Sequence, residues 1–232
     1  MHSSNALLEF EDSLKMVEEL LKIEKKYDNP PRLKDQKAVQ GLRGGAVILM
    51  VAAFENFLRR TISEHLRELT VHPKVSFDKL PPRMKVNCVF LTLDNAMKGP
   101  PSRGKVERLP DIERACQLVL SETINPDFFT DTKSNPNAKN VKSIFLEIGL
   151  EDIFDQVKNT FDRIWKKPIH QTFIEDKLDE IINRRHRVAH TADTLQITRS
   201  DLNESIKFLK ILSSVLDSQL KKHISAILKS RV

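Results

Sequence analysis

The sequence predicts an all-α fold. Three observations carry this expectation. Apolar residues recur at spacings of three and four along most of the chain, which is the period of an amphipathic helix. Only six glycines occur, and strand-like alternation of apolar and polar residues is scarce. Of 232 residues, 40% are hydrophobic and 30% charged, which is enough apolar side chain to bury a core and too much for a disordered chain.

The elements follow in order. Leu7, Phe10, Leu14, Val17 and Leu21 form the stripe of a first helix over about 5–27, ended by Asp28-Asn29-Pro30-Pro31. A polar, lysine-rich connector is expected over 32–40. A second helix is expected over about 42–69. Its 46–54 stretch is apolar nearly all round, which marks it as the central, most buried helix. Past Glu55 it turns amphipathic, with Phe57, Leu58, Ile62, Leu66 and Leu69 on one side. Prolines at 73, 81, 82, 100, 101, 110, 126 and 136 then punctuate the chain. Short helices are expected there at 83–98 and 109–121, in a stretch without the apolar length for a core of its own.

Asn135-Pro136 is the expected N-cap of the next helix, and Gly149 its stop. Val141, Ile144, Phe145 and Ile148 supply its stripe. Helices over 151–165 and 172–188 follow, separated by Pro168, and 191–196 is expected to turn. The last helix opens with a capping box from Thr198 to Asp201. It carries Leu202, Ile206, Leu209, Leu212, Val215, Leu216 and Leu220. The expectation is one domain, 1–232, as an up-down bundle of four long helices. A set of short helices, approximately 71–139, is inserted between the second long helix and the penultimate one.

Composition narrows the function. Lys and Arg number 38 against 32 Asp and Glu, a net charge of +6. That suits an anionic partner without naming one, and solubility accounts for it equally well. Cys88 and Cys116 are too few for a disulfide scaffold, and no metal-ligand CxxC spacing occurs. Met1-His2-Ser3-Ser4 runs straight into an acidic amphipathic segment, unlike a secretory leader. The longest apolar run, 46–54, has nine residues, against the roughly 20 that span a bilayer. A soluble, cytoplasmic protein without a membrane partner is expected. There is no Walker loop, dinucleotide fingerprint or nucleophile elbow. Aromatics, at 6%, are too sparse for a base-stacking platform.

One segment carries chemistry: Asn183-Arg184-Arg185-His186-Arg187-Val188-Ala189-His190. On a helical wheel Ile174, Leu178, Ile181 and Val188 define the apolar stripe. Arg185 falls within roughly 40° of Leu178 and Ile181. A guanidinium on a core-facing line is costly unless something satisfies it. His186 lies about 100° to one side of Arg185, and His190 one turn beyond His186. If the helix continued, Arg185 and His190 would diverge by about 140°. They converge only if the helix ends before His190, or if the site is shared with a second chain. Arg184 and Arg187 fit a simpler role, complementing the helix dipole. Glu55 is polar within the most apolar helix. It fits equally a partner for Arg185 or His190 and the point where that helix emerges into solvent. Arg59 and Arg60 fit either a basic groove or plain surface.

The run from Arg185 to His190 resembles the R-x4-6-H motif of HEPN domains, compact all-α domains found in many RNA-cleaving toxins and defence proteins. The context is similar too: the motif lies late in the penultimate long helix, before a short turn and a capped helix. The apolar run from Ala46 through Glu55 resembles the second helix of that fold. The stretch from Ser134 to Leu150 is similar to the RiboL-PSP branch, in which an insertion precedes the motif helix. The resemblance implies a HEPN-like bundle and a metal-independent endoribonuclease with no cofactor. It also implies a homodimer with a composite site, an RNA substrate, and a toxin or phage-defence role with an antitoxin or defence-system partner.

In such a reaction a ribose 2′-hydroxyl attacks the adjacent phosphate. The products are a 2′,3′-cyclic phosphate and a 5′-hydroxyl. Imidazole, with an ordinary pKa of about 6.5, suits the proton transfers. A guanidinium fork suits the charged phosphorane. The resemblance therefore gives His190 the acid–base or 2′-hydroxyl-polarising role and Arg185 the phosphate. His186 becomes the group that orients His190 or the phosphate. Arg184, Arg187 and Glu55 are supporting or RNA-binding candidates. Some HEPN toxins carry a modifiable tyrosine two residues after the histidine; here that position is Ala192.

Two other readings compete. His186 and His190 have the i, i+4 spacing of a zinc pair. However, Arg187 stands where H-E-x-x-H has glutamate, and the flanking arginines would repel a dication. The second alternative is a non-catalytic RNA- or nucleotide-binding or assembly module of the same fold.

Overall fold

The computed structural model describes residues 3–71, 77, 80–98, 104–121, 135–167, 169–191 and 197–229. Eight α-helices and no strand occur among the described residues. The all-α class is as the periodicity predicts.

Helix α1 (Asn5–Glu24) is capped by Ser4, whose hydroxyl accepts the Leu7 N–H at 3.1 Å. It buries Leu7, Phe10, Leu14, Val17 and Leu21. Helix α2 (Gln36–Val71) begins well before the expected 42, directly after a 3-10 turn at Leu33–Asp35. The expected connector thus ends at Asp35. Val39 and Arg43 are the cause, because both are buried and give the first turns of α2 a face to pack. At 1.5 Å per residue α2 is about 54 Å long. It packs against α1, α7 (Phe173–Thr191) and α8 (Arg199–Lys229). By length and composition α2 could cross a membrane, with a mean hydropathy of 1.4 over its most apolar stretch. Half of that stretch is buried inside this fold.

The inserted helices are α3 (Pro82–Lys98) and α4 (Leu109–Leu120), both within a residue of expectation. They pack on each other, and α4 buries only Ala115. Met84 and Cys88 of α3 join the main core instead. Helix α5 (Ala138–Glu147) is capped by Asn137, two residues beyond the expected Asn135, with the Asn140 N–H donating to its side chain at 2.8 Å. Gly149 ends it at φ +85°. A Cβ there would stand 3.1 Å from the Pro81 Cβ, so the glycine also permits the approach of α3.

Helix α6 (Ile153–Trp165) follows, and the expected breaker Pro168 lies outside the described residues. Helix α8 opens as predicted. The Asp201 N–H donates to Thr198 Oγ1 at 3.1 Å, and the Thr198 N–H donates to Asp201 Oδ2 at 3.0 Å.

Buried side chains from Ala6 to Ile227 form one continuous cluster. Phe10, Phe54 and Phe57 join α1 to α2, with ring centroids 5.4–6.4 Å apart. Phe161, Trp165, Phe173 and Phe208 join α6, α7 and α8. The second cluster anchors the first turn of α7 and so fixes the helix that carries the motif.

Candidate active site on the seventh helix

Helix α7 buries Ile174, Leu178, Ile181 and Ile182, with Val188 half-buried against the same core. The sequence predicts a stop near 188; the helix runs instead through Thr191. No glycine or proline interrupts the segment, so nothing local ends it. His190 is therefore helical. On a continuous helix it stays about 140° from Arg185. A single chain does not bring these two side chains together.

What one chain does bring together is the histidine pair. The rings of His186 and His190 lie 4.2 Å apart between centroids, at 51°. Both residues are exposed. Asn183, also exposed, precedes His186 by one turn and lies about 20° from His190 on the wheel. Sequence reasoning passes over it, although its seven-residue spacing from His190 places it on this column. Arg187 is exposed on the neighbouring strip. Arg185 is half-buried, one turn past Ile181 and Ile182. It has no hydrogen bond or ion pair among the described residues.

Arg184 faces elsewhere. Its side chain is only 12% exposed and pairs with Glu180, and with Asp201 Oδ1 at 3.4 Å. Lys177 continues the same joint, donating to Glu204 at 2.9 Å and pairing with Glu180 at 3.0 Å. Burial works against the Lys177 ammonium, and the bonds to Glu204 and Glu180 outweigh it, so its pKa lies above the usual lysine value. Burial likewise works against charged Asp201. The Thr198 donors and nearby Arg184 outweigh it and hold the carboxyl below its usual value. These charges brace α7 against the first turns of α8.

Glu55 is half-buried and accepts from Arg59 Nη2 at 2.7 Å. Arg60 pairs with Glu9 of α1. The end of α7 meets an earlier part of α2, where Lys37, Gly41, Gly44, Gly45, Ile48 and Val188 line an open groove of about 410 Å³. Glu55 lies seven residues beyond Ile48, about 10 Å further along the helix. Among the described residues no three His, Cys, Asp or Glu side chains gather in metal-ligating geometry.

The other described histidines stand apart. Buried His65 meets Asp217 at 3.2 Å, and the Thr61 hydroxyl donates to the same carboxylate oxygen at 3.0 Å. His223 Nε2 lies 2.9 Å from the Ile148 carbonyl oxygen. His170 pairs with Asp176 at 3.3 Å on the surface. His72 lies outside the described residues.

Comparison with known families decides the class. The family model RiboL-PSP-HEPN matches residues 11–222, nearly the whole chain. The chain belongs to the RiboL-PSP-HEPN family. Neither a curated relative nor a solved structure matches it. HEPN-type domains include ribonucleases and nucleotide-binding modules. Membership therefore supplies the class of this RiboL-PSP-HEPN protein, and the chemistry of α7 must supply the choice between them.

Proposed function

We propose that this RiboL-PSP-HEPN protein is a metal-independent endoribonuclease that cleaves RNA as a cytoplasmic homodimer, in the manner of a toxin or phage-defence effector with its own antitoxin or defence partner. One observation carries the reading. Two exposed imidazoles stand 4.2 Å apart beside a half-buried arginine that has no ion-pair partner among the described residues. Histidines move the protons of 2′-hydroxyl attack, and an uncommitted guanidinium neutralises the phosphorane. His190 polarises the 2′-hydroxyl or protonates the leaving oxygen. His186, packed on it, orients that ring. Arg185 holds the phosphate. Arg184 acts through the α7–α8 brace, and Arg187 and Glu55 are supporting groups. The 140° between Arg185 and His190 requires a second chain in this mechanism. In a two-fold dimer Arg185 of one chain meets His190 of its partner.

The first test uses end-labelled single-stranded RNA in excess EDTA, with wild type and His190→Ala. The expected result is cleavage by wild type alone, leaving 2′,3′-cyclic phosphate ends. Full activity of His190→Ala or Arg185→Ala would sink the assignment. Absence of cleavage across varied RNAs would favour a binding module. The second test mixes the two inactive variants. A mixed dimer keeps one intact Arg185–His190 pair, so random mixing restores about a quarter of wild-type activity. A dead mixture places the pair within one chain.

A further inference from the structure

Helices α1 and α8 enclose an open groove of about 560 Å³. Its rims carry Lys22, Lys25, Lys207 and Lys210 against a single carboxylate, Glu18. With Glu19 beside Lys22 counted as well, four lysines face two carboxylates, a local excess of +2. Its floor is Leu21, Ile206 and Ile211, which are only 2%, 6% and 8% exposed. An amphipathic helix needs open apolar surface to dock. These three side chains are nearly closed over, and the polar groups that the rims present are mostly ammonium groups.

One of the four lysines is uncommitted and the others are held by exposed or exchangeable partners. Lys25 has no partner among the described residues. Lys22 pairs with Glu19 on the solvent side, both more than 60% exposed, a pairing of little worth that a phosphate can replace. Lys210 pairs with Glu18 at 2.6 Å. The Lys207 ammonium sits 4.4 Å over the Trp165 ring, which steadies the stem while leaving the charge at the rim. The groove is tied to the motif helix as well. Asp201 and Glu204 receive the α7 brace, and Asn203 and Lys207 line the groove in the same turns of α8.

We propose that the α1–α8 groove grips the phosphate backbone of the RNA flanking the cleaved bond. The positive excess of the groove is observed independently of the ribonuclease reading; the identity of the polyanion rests on that reading. The test measures fluorescence anisotropy of a labelled 2′-O-methyl RNA 20-mer across potassium chloride concentrations. That strand lacks the attacking hydroxyl and stays whole whatever the protein's activity. Lys22→Ala/Lys25→Ala is compared with wild type and with Lys98→Ala/Lys139→Ala, a pair of surface lysines outside the groove.

The expected result is weaker binding by the groove variant. Its slope of log affinity against log salt should be shallower by about 0.7 for each phosphate it no longer neutralises, or about 1.4 for two. The control pair should leave the slope unchanged. An unchanged slope in the groove variant, or an equal loss in the control pair, would overturn the proposal. So would wild type that fails to bind the strand. If instead polyglutamate binding depends on these lysines while RNA binding does not, the groove serves an acidic protein and the proposal fails. None of these readouts uses cleavage. A protein that cuts nothing can still pass, and an active ribonuclease can still fail.

Discussion

Replacing Glu24 by glutamine keeps the shape of the joint between α1, α2 and α8 and removes its negative charge. Glu24 is fully buried at the end of α1. Its Oε1 accepts from Arg43 Nε at 2.9 Å and Nη2 at 2.6 Å, and its Oε2 accepts from Arg199 Nε at 2.5 Å. Arg43 also donates to the Ile197 carbonyl at 2.9 Å. Arg199 donates to the Glu24 and Tyr27 carbonyls. Burial alone would raise the Glu24 pKa, and the bonds from Arg199 and Arg43 outweigh it, so the carboxyl sits below its ordinary value of 4.5.

Glu24→Gln leaves two guanidiniums facing each other without a counter-charge. Breaking a buried pair on one side costs about 3–5 kcal/mol. Arg43 and Arg199 keep 10% and 22% exposure and their carbonyl partners, so the lower end, about 3 kcal/mol, applies here. For a chain of this size that lowers Tm by roughly 6–12 °C. Differential scanning calorimetry at neutral pH measures it, with a urea titration as the second probe. A loss under about 1 kcal/mol would refute the claim that this triad is a desolvated charge cluster. Acid should act in the same direction. With the folded pKa depressed, the contribution of Glu24 is full above the ordinary glutamate value and is lost as pH falls through the folded value.

Other outcomes follow from the same structure. Burial lowers the His223 pKa from 6.5, so the unfolded chain takes up the proton first and stability falls as pH drops below about 6.5. His223→Gln should flatten the Tm profile between pH 7 and 5. Burial would raise the Asp217 pKa, but bonds from His65, Ser4 and Thr61 hold it down. Its contribution is therefore lost at lower pH, and Asp217→Asn should cost about 2 kcal/mol in urea denaturation at neutral pH. Arg184→Ala should lower stability by about 1–2 kcal/mol and leave the salt slope of RNA binding unchanged. Arg185→Ala should do the opposite, abolishing cleavage with little change in Tm.

Much of the fold is legible in the sequence because helix periodicity is local. Helices α3 and α4 fall within a residue of their expected bounds, and the Thr198–Asp201 cap forms as its spacing requires. The errors lie where tertiary packing extends a helix past its local cues. Residues 36–41 hold a lysine, two glutamines and a glycine, and they are helical because Val39 and Arg43 have a core to enter. The rule that singles out Arg185, a charge on an apolar line, applies equally to Glu24 after Leu14, Val17 and Leu21. It also applies to Arg43 between Val39 and Ala46. In those two places the charge is the joint itself. Nothing in the sequence says which buried charges are paired, because the partners lie on other helices far along the chain.

The motif residues are legible by identity and not by grouping, and Arg184 shows why. Arg184 and Arg185 are adjacent, so their side chains leave α7 about 100° apart. One enters the joint with α8, where Glu180 and Asp201 take its charge. The other stays half-buried with its charge uncommitted. The difference comes from the rotation of α7 about its axis. Apolar periodicity cannot set that rotation alone once the buried line thins after Ile182, because Val188 is the next apolar side chain on the core. Between those two residues Arg184 pairs with Asp201, continuing the Lys177–Glu204 pair from earlier in the helix, and this brace holds α7 in register. A turn of one residue would send Arg185 toward the carboxylates and carry His186 and His190 together to a different side of the fold. Arg184 thus acts on the proposed catalytic residues through the orientation of the helix, by its pairs with Glu180 and Asp201.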